Sequence, residues 1–260
     1  MTYYMALLTW NFHSQILGVS ASANVVLPQS AVERGKKLPV LYLLHGLSDD
    51  HTIWQRRTSI ERYVEPLGLA VVMPAVNRSF YANMAHGACY WDFISEELPK
   101  LARSFFPLSD KRADTFVAGL SMGGYGAFKL ALSLPDRYAA AASLSGTVDI
   151  VQLIANSDKS DPNRRREMED IFGPPESVWG SDNDLFYLVD RLAKRKRRPT
   201  LYQWCGTEDY FFEHNEHLYK YAKQRGVRVS YSKSPGGHTW DKWDEQIGKV
   251  VSWLPLKGRT

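Results

Sequence analysis

The sequence predicts an α/β protein whose mostly parallel, doubly wound sheet carries helices on both faces. Segments rich in apolar and β-branched residues alternate with segments of helical periodicity through most of the chain. Several strand-like segments are apolar almost without a break, which is typical of parallel strands covered on both faces. One of them runs through a glycine-rich turn directly into a helical pattern. We therefore expect a single domain over residues 1–260.

The first two predicted strands lie within residues 7–27 and are interpreted as an antiparallel edge of the sheet, ended by Pro28. Further strands are predicted at residues 39–44, 69–74, 115–118, 138–146, 201–206 and 227–231. Helical patterns cover residues 53–66, 92–105, 127–134, 213–225 and 241–253. Asp92 is expected to cap the helix that it begins. A polar loop at residues 75–90 is long enough to indicate a functional role.

Residues 147–190 interrupt this alternation with polar runs and a Gly173-Pro174-Pro175 break. We interpret them as a small cap inserted over the carboxyl edge of the sheet. Ligand sites in doubly wound sheets lie at that edge, because the loops that follow the parallel strands meet there. Functional residues are therefore expected in those loops.

The composition is that of an ordinary globular protein, with 44% hydrophobic and 23% charged residues. The net charge is +4, and basic residues concentrate in two runs, residues 164–166 and 194–198. Such runs bind nucleic acid in some proteins, but they are more often solvated faces. We interpret both runs as exposed surface and expect no nucleic-acid partner.

The amino-terminal segment lacks the basic and long apolar stretches of a signal peptide, and no apolar run is long enough to span a membrane. We therefore expect a cytoplasmic protein without a membrane partner. Two cysteines, Cys89 and Cys205, are too few for a disulfide scaffold at this chain length. No Cys/His spacing typical of a metal site occurs in the sequence.

The glycine-rich turn reads Gly119-Leu120-Ser121-Met122-Gly123, a match to G-x-S-x-G. The bare pattern is frequent by chance, but a buried strand precedes this one and a helical pattern follows, which is the context of a nucleophile elbow. The two glycines leave room for a strained turn that lifts Ser121 Oγ above the sheet edge. We predict Ser121 as the nucleophile, with the N–H of Met122 as a donor to developing negative charge.

A serine hydroxyl needs a general base that removes its proton, and the base needs an orienting acid. With such an elbow, the acid and then the histidine follow the serine along the chain. His214 and His217 lie within a helical pattern and are interpreted as surface residues. His238 lies in a glycine-containing loop between the last strand and the last helix, and we predict it as the base.

The orienting acid is expected in the loop after the penultimate strand, which contains Glu208 and Asp209. Asp209 is preferred because it lies further along the loop, just before the next helix. Glu208 is the alternative, although a carboxylate there is also typical of a helix N-terminus.

The second donor of an oxyanion hole is expected in the loop after the third strand, here His45-Gly46-Leu47. Gly46 permits a tight turn, so the N–H of Leu47 is the predicted donor; the alternative is an ordinary turn. The predicted chemistry is attack of the serine on an acyl carbonyl, release of an alcohol or thiol, and hydrolysis of the acyl-enzyme. It requires no metal and no organic cofactor.

Four motifs together resemble the esterase D family of α/β hydrolases: His45-Gly46-Leu47, residues 119–127, residues 205–209 and residues 236–240. The resemblance covers nearly the whole chain and is greatest to the tributyrin-esterase branch, which acts on short-chain acyl esters and includes acetyl and feruloyl esterases. It implies an α/β-hydrolase fold, carboxylesterase activity, and Leu47 as the oxyanion partner of Met122. Relatives are often dimers or tetramers, so a homo-oligomer is expected.

Other members of the same fold provide the alternatives. S-formylglutathione hydrolases share the order of the three predicted residues, but tend to carry His where this chain has Tyr125. Mycolyltransferases are usually exported, and no export signal is expected here. Peptidases of this fold usually carry a gating domain, for which we expect no room, and a binding module would usually have lost one of the three residues.

Overall fold

Within the residues that the structure describes, one mixed sheet of eight strands organises the fold. The computed structural model describes residues 4–29, 35, 37–157 and 162–256. In chain order the strands are β1 (Met5–Ser14), β2 (Val19–Pro28), β3 (Val40–Leu44), β4 (Ala70–Pro74), β5 (Thr115–Leu120), β6 (Ala140–Leu144), β7 (Thr200–Gly206) and β8 (Val229–Ser234). Across the sheet they lie in the order β1-β2-β4-β3-β5-β6-β7-β8.

The pairing of the strands confirms the predicted fold class. β1 pairs with β2, and β2 with β4, in antiparallel fashion. The other neighbouring strands are all parallel. The early strands therefore form the predicted antiparallel edge, and the remaining strands direct their carboxyl ends to one side of the sheet.

β8 lies two residues later than predicted at its start and three residues later at its end. The prediction followed hydrophobicity and included Val227, which is buried but lies before the strand. The last three residues of β8 are polar, yet they pair with residues 204–206 of β7. The first and last residues of this edge strand are therefore set by its backbone hydrogen bonds to β7 and not by an apolar pattern.

Ten α-helices are present in the described residues. They are α1 (Ile53–Arg57), α2 (Ile60–Val64), α3 (Tyr90–Asp92), α4 (Leu98–Phe105), α5 (Met122–Ser133), α6 (Ile150–Ser157), α7 (Pro162–Phe172), α8 (Leu185–Ala193), α9 (Phe212–Gln224) and α10 (Trp240–Trp253). A π-helical turn, Phe93–Glu97, joins α3 to α4, and 3₁₀ turns occupy Glu65–Leu67, Arg112–Asp114 and Pro175–Ser177.

Two helix predictions are corrected by local hydrogen bonds. The helix predicted over residues 53–66 divides into α1 and α2, because Thr58 is extended and both its N–H and its hydroxyl donate to the carbonyl of Trp54. Asp92 does not cap its helix, which begins at Tyr90. The side chain of Asn83 instead accepts the N–H of Asp92 at 3.1 Å, satisfying a donor of the first turn.

The sheet is covered on both faces, as a doubly wound fold requires. Along β3, Val40, Tyr42 and Leu44 face one apolar core, whereas Leu41 and Leu43 face the other. The first core is formed with α5 and α8, and the second with α10 and the α1–α2 segment. This explains why β3 is apolar without a break.

The described parts of the segment 147–190 lie in two places, and residues 158–161 of the predicted insertion are outside the described residues. Side chains of α6 and α7 reach the cavity beside Ser121, at the carboxyl edge of the sheet. The last helix of the segment, α8, packs against α5 and α9. In the described part of the chain, no helix is both long and apolar enough to cross a membrane.

Candidate active site

Ser121 lies in a strained turn between β5 and α5. Its φ of 52° and ψ of −120° are unfavourable for a residue that carries a Cβ. The turn is held by its own backbone: the N–H of Ser121 donates to Leu144 O at 2.9 Å, and its carbonyl accepts the N–H groups of Tyr125 and Thr147, each at 3.1 Å. The side chain of Ser121 is thereby fixed at the carboxyl end of the central strand.

Two glycines make this turn sterically feasible. A Cβ on Gly119 would lie 2.4 Å from the backbone of Gly123. A Cβ on Gly123 would lie 2.3 Å from the carbonyl oxygen of Leu44. Both distances are far below van der Waals contact, so the close approach of the turn to the end of β3 requires glycine at both positions.

The structure brings Ser121, His238 and Asp209 together, although they are far apart in the sequence. Nε2 of His238 lies 3.0 Å from Ser121 Oγ, and Nδ1 lies 2.8 Å from Oδ2 of Asp209. Asp209 follows β7 and His238 follows β8, so both side chains reach the same edge of the sheet as Ser121. This is the geometry of a nucleophile, a base and an orienting acid.

Asp209 is held as a carboxylate. Burial disfavours its charge, but hydrogen bonds from His238, from the N–H of Phe211 at 2.8 Å and from the hydroxyl of Ser145 outweigh burial and lower its pKa below the ordinary value. Its side chain is 0% exposed. Glu208, the alternative acid, is exposed, and no hydrogen bond among the described residues joins its carboxylate to His238.

The other two histidines lie on α9, as their helical pattern predicted. The side chain of His217 is 65% exposed and lies 3.8 Å from Asp149. His214 is half-buried, with its ring 6.0 Å from that of Phe211. No hydrogen bond in the described part of the chain joins either ring to Ser121.

The predicted oxyanion donors border Ser121. A Cβ on Gly46 would lie 3.8 Å from the Cβ of Ser121, so the loop after β3 passes directly over the serine. Met122 begins α5, where the first N–H groups have no acceptor within the helix. Among the described residues, no acceptor takes the N–H of Leu47 or of Met122. Both groups are therefore available to a ligand atom.

A buried histidine fixes this loop, and sequence reasoning assigned it no role. Nδ1 of His45 lies 2.7 Å from Gly46 O, and Nε2 accepts the N–H of Val76 at 3.0 Å. Its carbonyl accepts the hydroxyl of Tyr81 at 2.9 Å. Burial lowers the pKa of His45 to about 4, so the ring is neutral at ordinary pH. The long loop at residues 75–90 thus contacts the candidate oxyanion loop.

A cavity of about 580 Å³ opens in front of Ser121. Its walls are largely aromatic and apolar, and they come from the loop after β3, from α6 and α7, and from the loops around Asp209 and His238. The lining residues include Leu47, Phe80, Leu153, Arg164, Tyr210, Phe211, Trp240 and Trp243. Arg164 corrects the interpretation of residues 164–166 as exposed surface: its side chain is only 23% exposed, whereas that of Arg165 is 50% exposed.

Of the aromatic residues Tyr125, Trp179, Phe186 and Phe211, only Phe211 lines this cavity. Tyr125 is fully buried and donates its hydroxyl to Asn183 O at 2.9 Å. Phe186 packs against His217 and a tyrosine of α9, and Trp179 is 80% exposed. Within the described ranges, no cluster of three or more His, Cys, Asp or Glu side chains could hold a metal ion.

Known esterases are similar to this chain over nearly its whole length. Residues 14–254 match the family model described as "Putative esterase". The chain is 31% identical to an acetyl esterase of Caldicellulosiruptor saccharolyticus, over 96% of this chain and 98% of that relative.

Two solved structures from Staphylococcus aureus are similar along almost their entire length. FphF, a fluorophosphonate-binding serine hydrolase with substrate bound, is 38% identical, with a TM-score of 0.88 over 96% of this chain and 98% of its own. The S-formylglutathione hydrolase FrmB is 38% identical, with a TM-score of 0.86 over 97% and 99% of the two chains.

Proposed function

Because the chain belongs to the esterase family, we propose that it is a serine carboxylesterase that hydrolyses short-chain acyl esters through an acyl-enzyme on Ser121. The observation that carries the proposal is the hydrogen-bonded series Ser121–His238–Asp209, with distances of 3.0 and 2.8 Å. The membership also supports the wider class, a serine hydrolase that acts on carboxylic ester bonds.

Acylation begins when Ser121 Oγ attacks the ester carbonyl and its proton passes to Nε2 of His238. The carbonyl π electrons move to oxygen, and the N–H groups of Leu47 and Met122 stabilise the resulting oxyanion. Asp209 accepts Nδ1–H and stabilises the imidazolium. When the oxyanion collapses, the bond to the leaving oxygen breaks, and His238 returns the proton to the departing alcohol.

Deacylation repeats these steps with water. His238 takes a proton from a water molecule, whose oxygen attacks the acyl carbon bound to Ser121. The oxyanion forms at the same two donors and collapses, breaking the acyl–Oγ bond, and the proton passes to Oγ. The products are a carboxylic acid and the free enzyme. Each proton is carried by Nε2 of His238, so this sequence requires no cofactor.

We place the enzyme in the tributyrin-esterase branch and propose acetylated or feruloylated sugar-type esters as candidate substrates besides tributyrin. Two features support short acyl chains: the chain's likeness to an acetyl esterase and a cavity of moderate size with apolar walls. A profile of kcat/KM over acyl chain length, acetylated xylan and feruloyl esters decides among them.

Hydrolysis of p-nitrophenyl acetate and butyrate tests the proposal. We expect Ser121→Ala to lower kcat/KM by at least about 10⁴-fold, because the attacking oxygen is removed. Ser133→Ala, at the far end of the same helix, is the control and should retain the activity. A wild-type protein that leaves both esters intact would refute the proposal, and an active Ser121→Ala variant would exclude Ser121 as the nucleophile.

The second candidate function is hydrolysis of S-formylglutathione. The 38% identity to FrmB favours it. Tyr125, the residue that sequence comparison raised against it, is buried and bonded to Asn183 O, so the substitution lies outside the cavity lining. A kcat/KM for S-formylglutathione at least tenfold above that for p-nitrophenyl butyrate would support the thioesterase, and the reverse ratio would support the carboxylesterase.

Three further expectations remain predictions. We propose one domain over residues 1–260 with residues 147–190 as its insertion, a dimer or tetramer in solution, and a cytoplasmic location. Limited proteolysis, light scattering after size-exclusion chromatography, and cell fractionation test them separately.

A further inference from the structure

The cavity at Ser121 combines apolar walls with the permanent positive charge of Arg164. Among the described residues that line it, Arg164 is the only arginine or lysine. The guanidinium comes from α7, within the insertion, and its side chain is only 23% exposed. A charge placed in such a cavity loses hydration, so it needs partners within the site.

The residues around Arg164 supply only some of the partners that its guanidinium needs. Nη1 of Arg164 donates to Oε2 of Glu167 at 2.5 Å, and the guanidinium carbon lies 5.8 Å from the ring centre of Phe80. Among the described residues, no acceptor takes the Nε or Nη2 donors of Arg164. Those two donors remain available to a ligand.

Glu167 does not fully neutralise the charge of Arg164, because the same carboxylate also binds a second arginine. Both of its carboxylate oxygens also accept from Arg78, which lines a neighbouring cavity. The two arginines hold the pKa of Glu167 below its ordinary value, although burial opposes this, so the carboxylate is ionised. Two guanidinium groups and one carboxylate leave a net charge of +1.

The other charged group of the cavity lies with the oxyanion loop. Asp49 is half-buried, burial raises the pKa of its carboxyl, and its Oδ2 lies beside Gly46, 2.9 Å from the position of a Cβ on that glycine. Its charge therefore lies at the end of the cavity formed by the loop after β3, whereas the positive charge comes from the insertion. The phenol of Tyr210 also lines the cavity; burial and Asp209 raise its pKa to about 12, and the positive charge of Arg164 opposes this shift.

We propose that Arg164 binds an anionic group, a carboxylate or a group of similar charge, on the ester that reacts at Ser121. The inference rests on the proposed function, because it assigns the substrate class of the same site. A planar guanidinium with two unused donors fits the two oxygens of a carboxylate. The reacting carbonyl lies at Ser121, and the anionic group extends toward α7.

Matched ester pairs test this proposal. For an anionic acyl group, p-nitrophenyl succinate is compared with neutral p-nitrophenyl pentanoate. For an anionic leaving group, 4-acetoxybenzoate is compared with neutral 4-acetoxybenzamide. The readout is the ratio of kcat/KM, anionic over neutral, since differences in intrinsic reactivity cancel between enzyme variants. The pair that responds shows which part of the ester Arg164 contacts.

In Arg164→Gln, we expect the ratio of one pair to fall on the order of tenfold to a hundredfold, because a charge-assisted hydrogen bond is lost. Arg164→Lys keeps the charge without the planar fork and should retain part of the ratio. Arg165→Gln, the neighbouring exposed arginine, is the control and should leave both ratios unchanged. Equal ratios in Arg164→Gln and the wild type, or an equal fall in Arg165→Gln, overturn the proposal.

The salt dependence of the wild-type enzyme is a second test of the anionic site, and it applies even if Arg164→Gln does not fold. The anionic-to-neutral ratio should decrease as ionic strength rises, because screening weakens the attraction. A ratio that does not change with salt contradicts the proposal. The neutral esters separate the two levels of inference. If they are hydrolysed and the anionic-to-neutral ratio does not depend on Arg164, only the anionic site is rejected; if no ester is hydrolysed, the esterase is rejected.

Discussion

The imidazole of His238 lies between a wholly buried carboxylate and the strained serine, with Asp209 Oδ2 2.8 Å from Nδ1. Because this carboxylate is ionised, it accepts a hydrogen bond from Nδ1–H and fixes the tautomer in which Nε2 is unprotonated. Only that tautomer can accept the proton of Ser121. The second bond of Asp209, from the N–H of Phe211, prevents the carboxylate from turning away.

Asp209→Asn is therefore expected to lower kcat by about 10⁴-fold with little change in fold, because the amide donates to Nδ1 and selects the wrong tautomer. The measurement is hydrolysis of p-nitrophenyl acetate, with circular dichroism as a check on folding. Glu208→Gln, at the adjacent exposed position, is the control and should retain activity. If Glu208→Gln loses activity and Asp209→Asn does not, the assignment of the acid is reversed.

Gly123→Ala is expected to destabilise the protein and reduce its activity, because the new Cβ would lie 2.3 Å from Leu44 O. Relief of that overlap must move α5 or β3, at a cost of about 1–3 kcal/mol in the free energy of unfolding, and it displaces the N–H of Met122. Urea denaturation and ester hydrolysis measure the two effects.

Gly248→Ala provides the matched control, since Gly248 also lies within a helix. Its Cβ would meet the ring of Tyr63 at 3.5 Å, an ordinary contact. Helix propensity then favours alanine, so this variant should be as stable as the wild type or more stable. Equal behaviour of the two variants would mean that the close approach at the elbow is unimportant.

The sequence predicted the elements of the fold well where local chemistry decides them. The apolar run of β3 and the strand–turn–helix at Ser121 carry their own signals, because burial on both faces and a strained turn each restrict the residue types. Because the base follows the nucleophile along the chain, only three histidines were candidates for it, and His238 was one of them. Asp209 and Glu208 are neighbours in one loop, so spacing alone could not separate them; burial of one and exposure of the other distinguish them.

The features that sequence reasoning missed depend on contacts between distant segments. Nothing near His45 indicates that its ring accepts a hydrogen bond from Val76, 31 residues away. Arg164 belongs to a basic run that resembles ordinary surface, and only the fold shows that one of three arginines faces the cavity. Hydrophobicity also misplaced β8, because an edge strand is limited by pairing with its neighbour.

His45→Phe is expected to lower kcat on the order of a hundredfold with a smaller change in KM. The substitution keeps a ring but removes the bonds to Gly46 O and the N–H of Val76, so the N–H of Leu47 loses its position, and loss of one oxyanion donor has an effect of this size. Steady-state kinetics with p-nitrophenyl butyrate provide the measurement. His86→Phe, an exposed histidine in the neighbouring loop, is the control. A fall in KM alone, or equal kinetics in both variants, would contradict the positioning role.

A buried lysine links the elbow helix to two other segments and predicts a pH-dependent stability. Nζ of Lys129, on α5, donates to Tyr81 O at 3.1 Å and to Asn183 Oδ1 at 2.7 Å, and lies 4.7 Å from the ring centre of Trp91. Burial lowers its pKa from 10.5 to about 7. Between these two values the unfolded chain binds a proton that the folded protein has released, so the free energy of unfolding increases with pH in this window.

Lys129→Met removes this titration. We expect the difference in unfolding free energy, wild type minus variant, to rise between pH 7 and pH 10 with a slope of up to about 1.4 kcal/mol per pH unit. Below pH 7 the lysine is protonated in both states, so the difference should be constant there. Urea denaturation across this range measures it, with exposed Lys220→Met on α9 as the control, for which no slope is expected. If the curves for wild type and Lys129→Met stay parallel from pH 7 to pH 10, the ammonium remains charged in the folded protein and its hydrogen bonds outweigh burial.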